Sequence, residues 1–303
     1  MATTLPLNSP SKNMKTPITT PVIVRRGLTS KLIKKSVLPI ALVALSVHAV
    51  EAGTIVFSDN FTGVTSAQLN ANGWYFTNSN ASGTPWSVVT DNTSPLSGNV
   101  MSNPGSSSRN TQAYKQFNTF NLVGIGDSIS IKLDFHTTSA SDFFSIGLLS
   151  SANTFTGNVI GSGTNPAADA DGYGTNQSFS SSPTALTYRQ IDNNAYTGTL
   201  LSTTTQLNKL NDNLGHSYVF SITRVSTGVR LDSWIDGNAL DSYTVTGAVY
   251  TSFNTLKLIA PVNTFFNVDN IVLTTVPEPS VLGLVTVFTA GIFLRRRRSK
   301  LQA

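Results

Sequence analysis

The side chains that do chemistry are scarce in this chain of 303 residues. It has no cysteine, which removes thiol catalysis, thiolate-bound zinc and disulfide scaffolds together. Between residues 53 and 276 every acid is an aspartate; glutamate does not occur there. Glycoside hydrolysis needs two positioned carboxylates. The nearest approach to such a pair is Asp232 and Asp236, which alternate with Trp234 along one strand-like run and so share a face. Asp236 opens an Asp-Gly pair, however, and turn chemistry is its plainer role. His136 and His216 are the only histidines in the same span. A lone histidine on a strand is more often a surface or hydrogen-bonded residue than an acid–base catalyst. The chain carries no H-E-x-x-H, no G-x-S-x-G and no phosphate-binding glycine loop. These absences argue for a chain that is not an enzyme, with no catalytic residues.

Binding is the remaining chemistry, and two kinds are legible. Calcium takes hard oxygen ligands from aspartate, asparagine and main-chain carbonyls. Asp169-Ala170-Asp171-Gly172 alternates acids before a glycine but lacks the rest of a calcium loop. Asp59 and Asp269 are the other candidate metal ligands, one on the first strand-like run and one on the last. Their plainer role, with Asn60 and Asn270, is local hydrogen bonding at strand bends. A structural calcium, or no cofactor at all, is the expectation. Sugars stack their apolar faces on exposed aromatic rings while their edges hydrogen-bond. Trp234 alternates with Arg230 and Asp232 and is a candidate for that role; so is Trp86, placed between Pro85 and Ser87 near a loop. Burial in a core is the plainer reading for Trp234 and for Trp74.

The elements that must position these residues read as strands. Ser128–His136 alternates strictly, with Ile129, Ile131, Leu133 and Phe135 on one face and Ser130, Lys132, Asp134 and His136 on the other. Further runs cover 142–149, 218–225, 229–235, 256–260 and 264–274. Ser226-Thr227-Gly228 and Asp236-Gly237 mark hairpin turns. No segment of the middle region has a helical period with caps. Residues 150–183, rich in glycine, serine and asparagine, read as long loops. The expectation for 53–275 is one all-β domain, an antiparallel two-sheet jelly-roll sandwich in which the first and last strands are neighbours.

Charge divides the chain into three parts. The net charge of +5 comes from the ends: residues 1–52 hold seven Lys or Arg against one acid, and residues 277–303 hold five against one. The middle keeps eight basic and 13 acidic residues. Basic residues at the margins rather than on the folded part argue against a nucleic-acid partner. Arg25, Arg26, Lys31, Lys34 and Lys35 precede an apolar run from Val37 to Val47, followed by small residues. This is the pattern of a signal peptide over 1–52, read by the Sec export machinery, with cleavage between Ala52 and Gly53. Met14 is an alternative start, and an uncleaved anchor helix is the alternative fate. At the other end, Pro277-Glu278-Pro279 blocks continuation of the last strand. Fifteen uncharged residues, 280–294, and Arg295, Arg296, Arg297 and Arg298 follow. An apolar run before a basic cluster predicts a single membrane helix with its C-terminus inside.

The Pro-Glu-Pro triplet, the apolar run and the arginine cluster, in that order over residues 276–302, resemble the PEP-CTERM sorting signal of Gram-negative bacteria. A plain C-terminal anchor is the alternative. The resemblance implies an exosortase as partner, transient residence in the inner membrane with the β domain in the periplasm, and release to the envelope or outside the cell. More loosely, Phe57-Ser58-Asp59-Asn60-Phe61 with Gly73-Trp74, the run Leu231–Gly237, and Phe265–Leu273 resemble the concanavalin A-like, laminin-G-like jelly roll. An immunoglobulin-like sandwich is the alternative. That resemblance implies a calcium joining the first and last strands, here through Asp59 and Asp269, and its polysaccharide-cutting members use paired glutamates, which are missing here. Three functions follow: an envelope or matrix protein whose sandwich is structural or adhesive; a carbohydrate-binding module that meets extracellular polysaccharide; and, disfavoured by the missing glutamates, a polysaccharide-active enzyme.

Overall fold

The computed structural model describes residues 53–78, 86–104, 111–138, 143–160, 165, 167–179, 184–194, 198–206, 210, 212–260 and 265–277. Within them the chain forms β1 (Thr54–Asp59), β2 (Trp74–Asn78), β3 (Ser87–Thr90), β4 (Asn99–Pro104), β5 (Thr111–Asn121), β6 (Ser128–Thr137), β7 (Phe143–Ser150), β8 (Val159–Ile160), β9 (Asp171–Ser178), β10 (Thr184–Ile191), β11 (Thr199–Gln206), β12 (Gly215–Val225), β13 (Gly228–Ile235), β14 (Asn238–Thr246), β15 (Ser252–Ala260) and β16 (Phe265–Val276). The first sheet runs β14-β13-β12-β6-β16-β4-β3, with β1 also on β16. The second runs β11-β10-β9-β7-β15-β5-β2-β8. Pairing is antiparallel throughout except for the short parallel contact of β2 with β8. The expected neighbours are present: β1 pairs β16, with Asp59 opposite Ile271.

Period-two alternation sorts side chains between the sandwich interior and the outer faces. Ile129, Ile131, Leu133 and Phe135 of β6 are fully buried, as the sequence predicts. Tyr218, Phe220 and Ile222 of β12 join them from the same sheet, and Phe144, Ile146, Leu148, Leu256 and Leu258 face them from the other. An aromatic nucleus sits between the sheets: Phe144 lies 4.8 Å from Phe135 and 5.2 Å from Phe266, centroid to centroid. Each such pair adds about 0.5–1.5 kcal/mol beyond its buried area. The predicted hairpin turns form at Ser226-Thr227 and Asp236-Gly237. Asp236 and Gly237 have φ of 52° and 77°, the double left-handed geometry that suits the twist of flanking strands.

Two expectations are corrected. The segment read as long loops contains β9, a central strand of the second sheet. Its glycines are tertiary devices. A Cβ on Gly172 would lie 2.3 Å from the Leu148 carbonyl oxygen, and one on Gly174 would lie 2.7 Å from that of Ile146. Meanwhile Tyr173, Thr175 and Gln177 bury the strand's inner face. Second, among the described residues no helix is long and apolar enough to cross a membrane. The only helical element there is the short 3-10 turn Ser66–Gln68. The expected placement in the inner membrane with a periplasmic β domain is corrected on that finding. The signal segment 1–52 with Ala52, the apolar run 280–294, Glu278, Pro279 and Arg295–Arg298 lie outside the described residues. Gly53 directly precedes β1, and Pro277 is exposed directly after β16, where a proline ends the ladder.

The glycines of the second sheet yield a paired test. Gly174→Ala drives a methyl into backbone and is expected to cost about 1–3 kcal/mol, the usual price of overpacking. In Gly147→Ala the new methyl meets only side chains, the nearest being Ile191 Cδ1 at 3.3 Å, and a smaller loss is expected. Urea denaturation midpoints of the two variants compare them directly.

Candidate functional site

The outer face of the second sheet holds a hollow that follows from the same alternation. Because Leu256, Leu258 and Ala260 of β15 enter the core, Thr255, Lys257 and Ile259 project the other way. Ser145 and Gly147 of β7, Gly174 and Asn176 of β9, and Arg189 and Ile191 of β10 do likewise. With Lys257 and Ile259 these residues line a small depression of about 10 Å³. Gly147 and Gly174 are paired in register, so its floor is bare backbone where side chains would otherwise fill the space.

Cations and neutral polar groups line it. Lys257 is fully buried, and its Nζ donates to Asn194 Oδ1 at 2.6 Å. Asn194 in turn donates to the Tyr114 hydroxyl at 2.9 Å, which also receives Asn165 Nδ2 at 3.1 Å. Burial pushes the Tyr114 phenol up, so it stays neutral. Burial alone brings the Lys257 ammonium down to about 7. Asn176, with its amide turned to satisfy both neighbours, donates to Ser145 Oγ and accepts Arg189 Nε at 3.0 Å. The Arg189 guanidinium, lowered somewhat by desolvation, also reaches the Gly198 carbonyl at 3.4 Å. Among the described residues no carboxylate lines the hollow.

Ile191 also belongs to a small apolar cluster with Tyr114, Leu149, Phe155, Ala167 and Ala170. Beside this cluster Asp169 accepts Ser151 Oγ at 2.8 Å, Ala152 N at 2.6 Å and Asn153 Nδ2 at 2.9 Å. Burial would raise its carboxyl, but these donors hold it below the usual range. Asp171 accepts Asn193 N at 2.6 Å. The Asp169–Asp171 pair therefore organises loops.

The residues singled out from sequence are distributed elsewhere. Trp86 is 2% exposed, stacked on Phe76 and edge-on to Phe266. It presents no face to a ligand, and its expected sugar-binding role is corrected. Trp74 is a core residue, as expected. Trp234 is half-buried on the outer face of the first sheet, in register with Val219 and Ala239. It lies two residues beyond Asp232, which pairs with Arg230 Nε at 2.7 Å. Asp236 is occupied by His216 Nδ1 at 2.8 Å and Ser217 N at 2.9 Å, so Asp232 and Asp236 serve separate partners and form no acid pair.

The expected calcium bridge is corrected as well. Asp59 Oδ2 accepts Trp74 Nε1 at 2.9 Å and Lys115 Nζ at 2.7 Å, both residues of the second sheet, so it faces the sandwich interior and is neutralised there. Asp269 shares the outward face of β16 with Asn267 and pairs in register with Asp134. It is 1% exposed, and its Oδ1 has no partner. Desolvation raises its carboxyl. The two carboxylates thus lie on opposite faces of one sheet. Among the described residues no three histidine or acidic side chains are grouped to hold a metal ion. His136 Nδ1 pairs with Asp91 Oδ2 at 2.8 Å, and the same oxygen accepts Asn267 Nδ2 at 2.6 Å. Lys257 and Arg189 escaped the sequence reading. The available signal was one lysine in the apolar run Leu256-Lys257-Leu258-Ile259, a charge at an outward position.

The chain matches no protein-family model and no curated protein. Among solved structures it is similar in shape to a carbohydrate esterase from the Shiga toxin-encoding bacteriophage phi24B, with 15% identity over 75% of this chain and 100% of that one, TM-score 0.47. It is also similar to the carbohydrate recognition domain of Emp46p (10% identity, 72% and 94% covered, TM-score 0.46). A third is a Bacillus subtilis protein of unknown function with a galectin-like fold (10% identity, 75% and 99% covered, TM-score 0.47). At these identities and scores the likenesses assign no activity to this chain.

The Asp91 cluster predicts a pH dependence. Burial would raise the Asp91 carboxyl, but hydrogen bonds from Asn267, His136 and Thr93 overcome it and lower it from 3.8 to about 2. A depressed acid stabilises the fold fully above its unfolded pKa, and that stability is lost as pH falls through the folded value. Between pH 4 and pH 2 the wild type should therefore lose on the order of 2 kcal/mol that Asp91→Asn does not lose. Urea melts across that window, wild type against variant, measure the difference.

Proposed function

We propose that the β-sandwich is a non-catalytic carbohydrate-binding module whose site is the hollow on the second sheet. The observation that carries this reading is the convergence of Ser145, Asn176, Arg189 and Lys257 over the glycine floor of Gly147 and Gly174. Saccharides are polyhydroxylated and are held by dense sets of amides, hydroxyls and cations in a shaped depression. A purely structural or adhesive sandwich has no use for a lysine buried without an acid, which is unfavourable unless a ligand or a specific function recoups it. The absence of glutamate from residues 53–276 supports binding without hydrolysis.

Extracellular polysaccharide is the proposed partner class. Affinity electrophoresis of the full chain through gels cast with individual polysaccharides tests it. At least one should retard the protein, and Asn176→Ala or Arg189→Ala should weaken that retardation about tenfold or more, since each removes hydrogen bonds to a buried ligand. Trp234→Ala should leave it unchanged. Retardation lost only in Trp234→Ala would move the site to the first sheet, and no retardation by any polysaccharide would leave the structural role.

The C-terminal motif supports a second element, that an exosortase processes the chain. β16 ends at Val276 and Pro277, the first residue of the triplet, is exposed directly after it. Changing Pro277-Glu278-Pro279 to alanines should abolish C-terminal trimming by a co-expressed exosortase, read by intact mass. The same trimmed product without exosortase would sink this part of the reading.

A further inference from the structure

The hollow has a charge that its shape alone does not require, and we infer that its ligand is an anionic saccharide, a sugar bearing a carboxylate or sulfate group that meets Lys257 and Arg189. This rests on the carbohydrate-binding reading and narrows it. The domain from 53 to 276 is acidic, with eight basic residues against 13 aspartates, yet two of those eight line one hollow that no aspartate among the described residues lines. General attraction for anions does not follow from such a domain; a local site does.

Lys257 is the more telling of the two. An ammonium has three donors, and the partner of this fully buried one is the neutral amide oxygen of Asn194. Among the described residues the groups packed against it supply no counter-charge. From β5 the in-register neighbour is Tyr114, a neutral phenol; from β7 it is Gly147. From β7 and β9 the hollow receives Ser145, Gly174 and Asn176, and from β10 the like-charged Arg189. The acids that flank these strands are engaged elsewhere: Asp169 with Ser151, Ala152 and Asn153, Asp171 with the Asn193 amide, and Asp192 with the Tyr250 hydroxyl. A cation buried without an anion is poised to gain from one, because the desolvation is already complete before the ligand arrives. The guanidinium of Arg189 places a second positive charge beside the hollow.

The consequence is linkage to protons. Burial holds the Lys257 ammonium at about 7 in the free protein, so near pH 7 about half the molecules lack the proton that an anionic ligand requires. Binding of an anion should restore it. Binding should therefore take up about half a proton at pH 7, and affinity should fall by up to about tenfold per pH unit above that. A neutral sugar makes neither demand.

Isothermal titration of the full chain tests this with three oligosaccharide probes: a polyuronate, a sulfated glucan and the unsulfated glucan. Each is run at pH 6, 7 and 8, and at pH 7 in two buffers of different ionisation enthalpy. The expected result is binding of the uronate or the sulfated glucan at least about tenfold tighter than the neutral glucan, weaker at pH 8 than at pH 6, with net proton uptake. Whichever of the two acidic probes binds identifies the anionic group. Lys257→Met should lose both the preference and the proton uptake. Should that variant not fold, the wild-type buffer dependence alone decides. Binding of the neutral glucan as tight as the acidic ones, lost in Asn176→Ala, would overturn this inference and leave the carbohydrate-binding reading standing. Acidic binding with no proton uptake and no pH dependence would remove Lys257 from the site. Binding of no saccharide would overturn both readings.

Discussion

The pairing of β16 with strands drawn from three distant parts of the chain is the constraint on which the first sheet depends. One edge of this last strand takes β6 along nearly its whole length, while the other takes β4 at its start and β1 at its end. The pairing with β6 carries a register shift between Asp269 and Val272. Asn270 sits in the shift at φ 49°, a conformation asparagine tolerates better than most residues. Before the shift Phe266 and Val268 face the core; after it Ile271 and Leu273 do. The irregularity thus keeps an apolar residue inward along the whole strand. It also turns Asp269 and Asn267 onto the outer face, and no calcium bridge to inward-facing Asp59 can form across that geometry.

The two outer faces then part ways electrostatically. On the first sheet the polar groups are largely consumed in pairs: Asp91 with His136 and Asn267, Asp134 with Ser217 and Asn270, Asp232 with Arg230. Lys115, inside the sandwich, likewise meets Asp59. On the second sheet Lys257 meets an amide and no acid. Buried charges in folded proteins are ordinarily matched. In a domain that has more acids than bases, leaving its most deeply buried ammonium unmatched is the exception that calls for a functional account.

How much of this was legible depended on whether the decisive contact was local. Strict alternation in Ser128–His136 fixed the face of Ile129, Ile131, Leu133 and Phe135 because a one-residue slip would expose all four. Asp236-Gly237 announced its turn because only certain residues accept left-handed backbone. By contrast β9 looked like loop, since its glycines lower strand propensity and the reason for them is the backbone of β7, a different part of the chain. Pro85-Trp86-Ser87 looked like a surface corner, but Phe76 and Phe266 close over the indole from far away in sequence. Lys257 was visible as an outward charge in an apolar run. Its burial was not, because Asn194 and Tyr114 come from segments far from β15 in sequence.

That last point bears on why the hollow is built from strands rather than loops. Ser145, Gly147, Gly174, Asn176, Arg189 and Lys257 all stand on four adjacent strands of one sheet, so their spacing is set by the ladder. A ligand that meets them pays little to order the protein, and affinity follows from preorganisation rather than contact area. The glycines serve the same end from below: they remove side chains that would fill the floor and bring β7 and β9 into close approach. Lys257, beside that floor, is fully buried and donates to Asn194. Sheet geometry thus supplies both the shape of the site and the desolvation of its charge, and neither requires a metal, a disulfide or a moving loop.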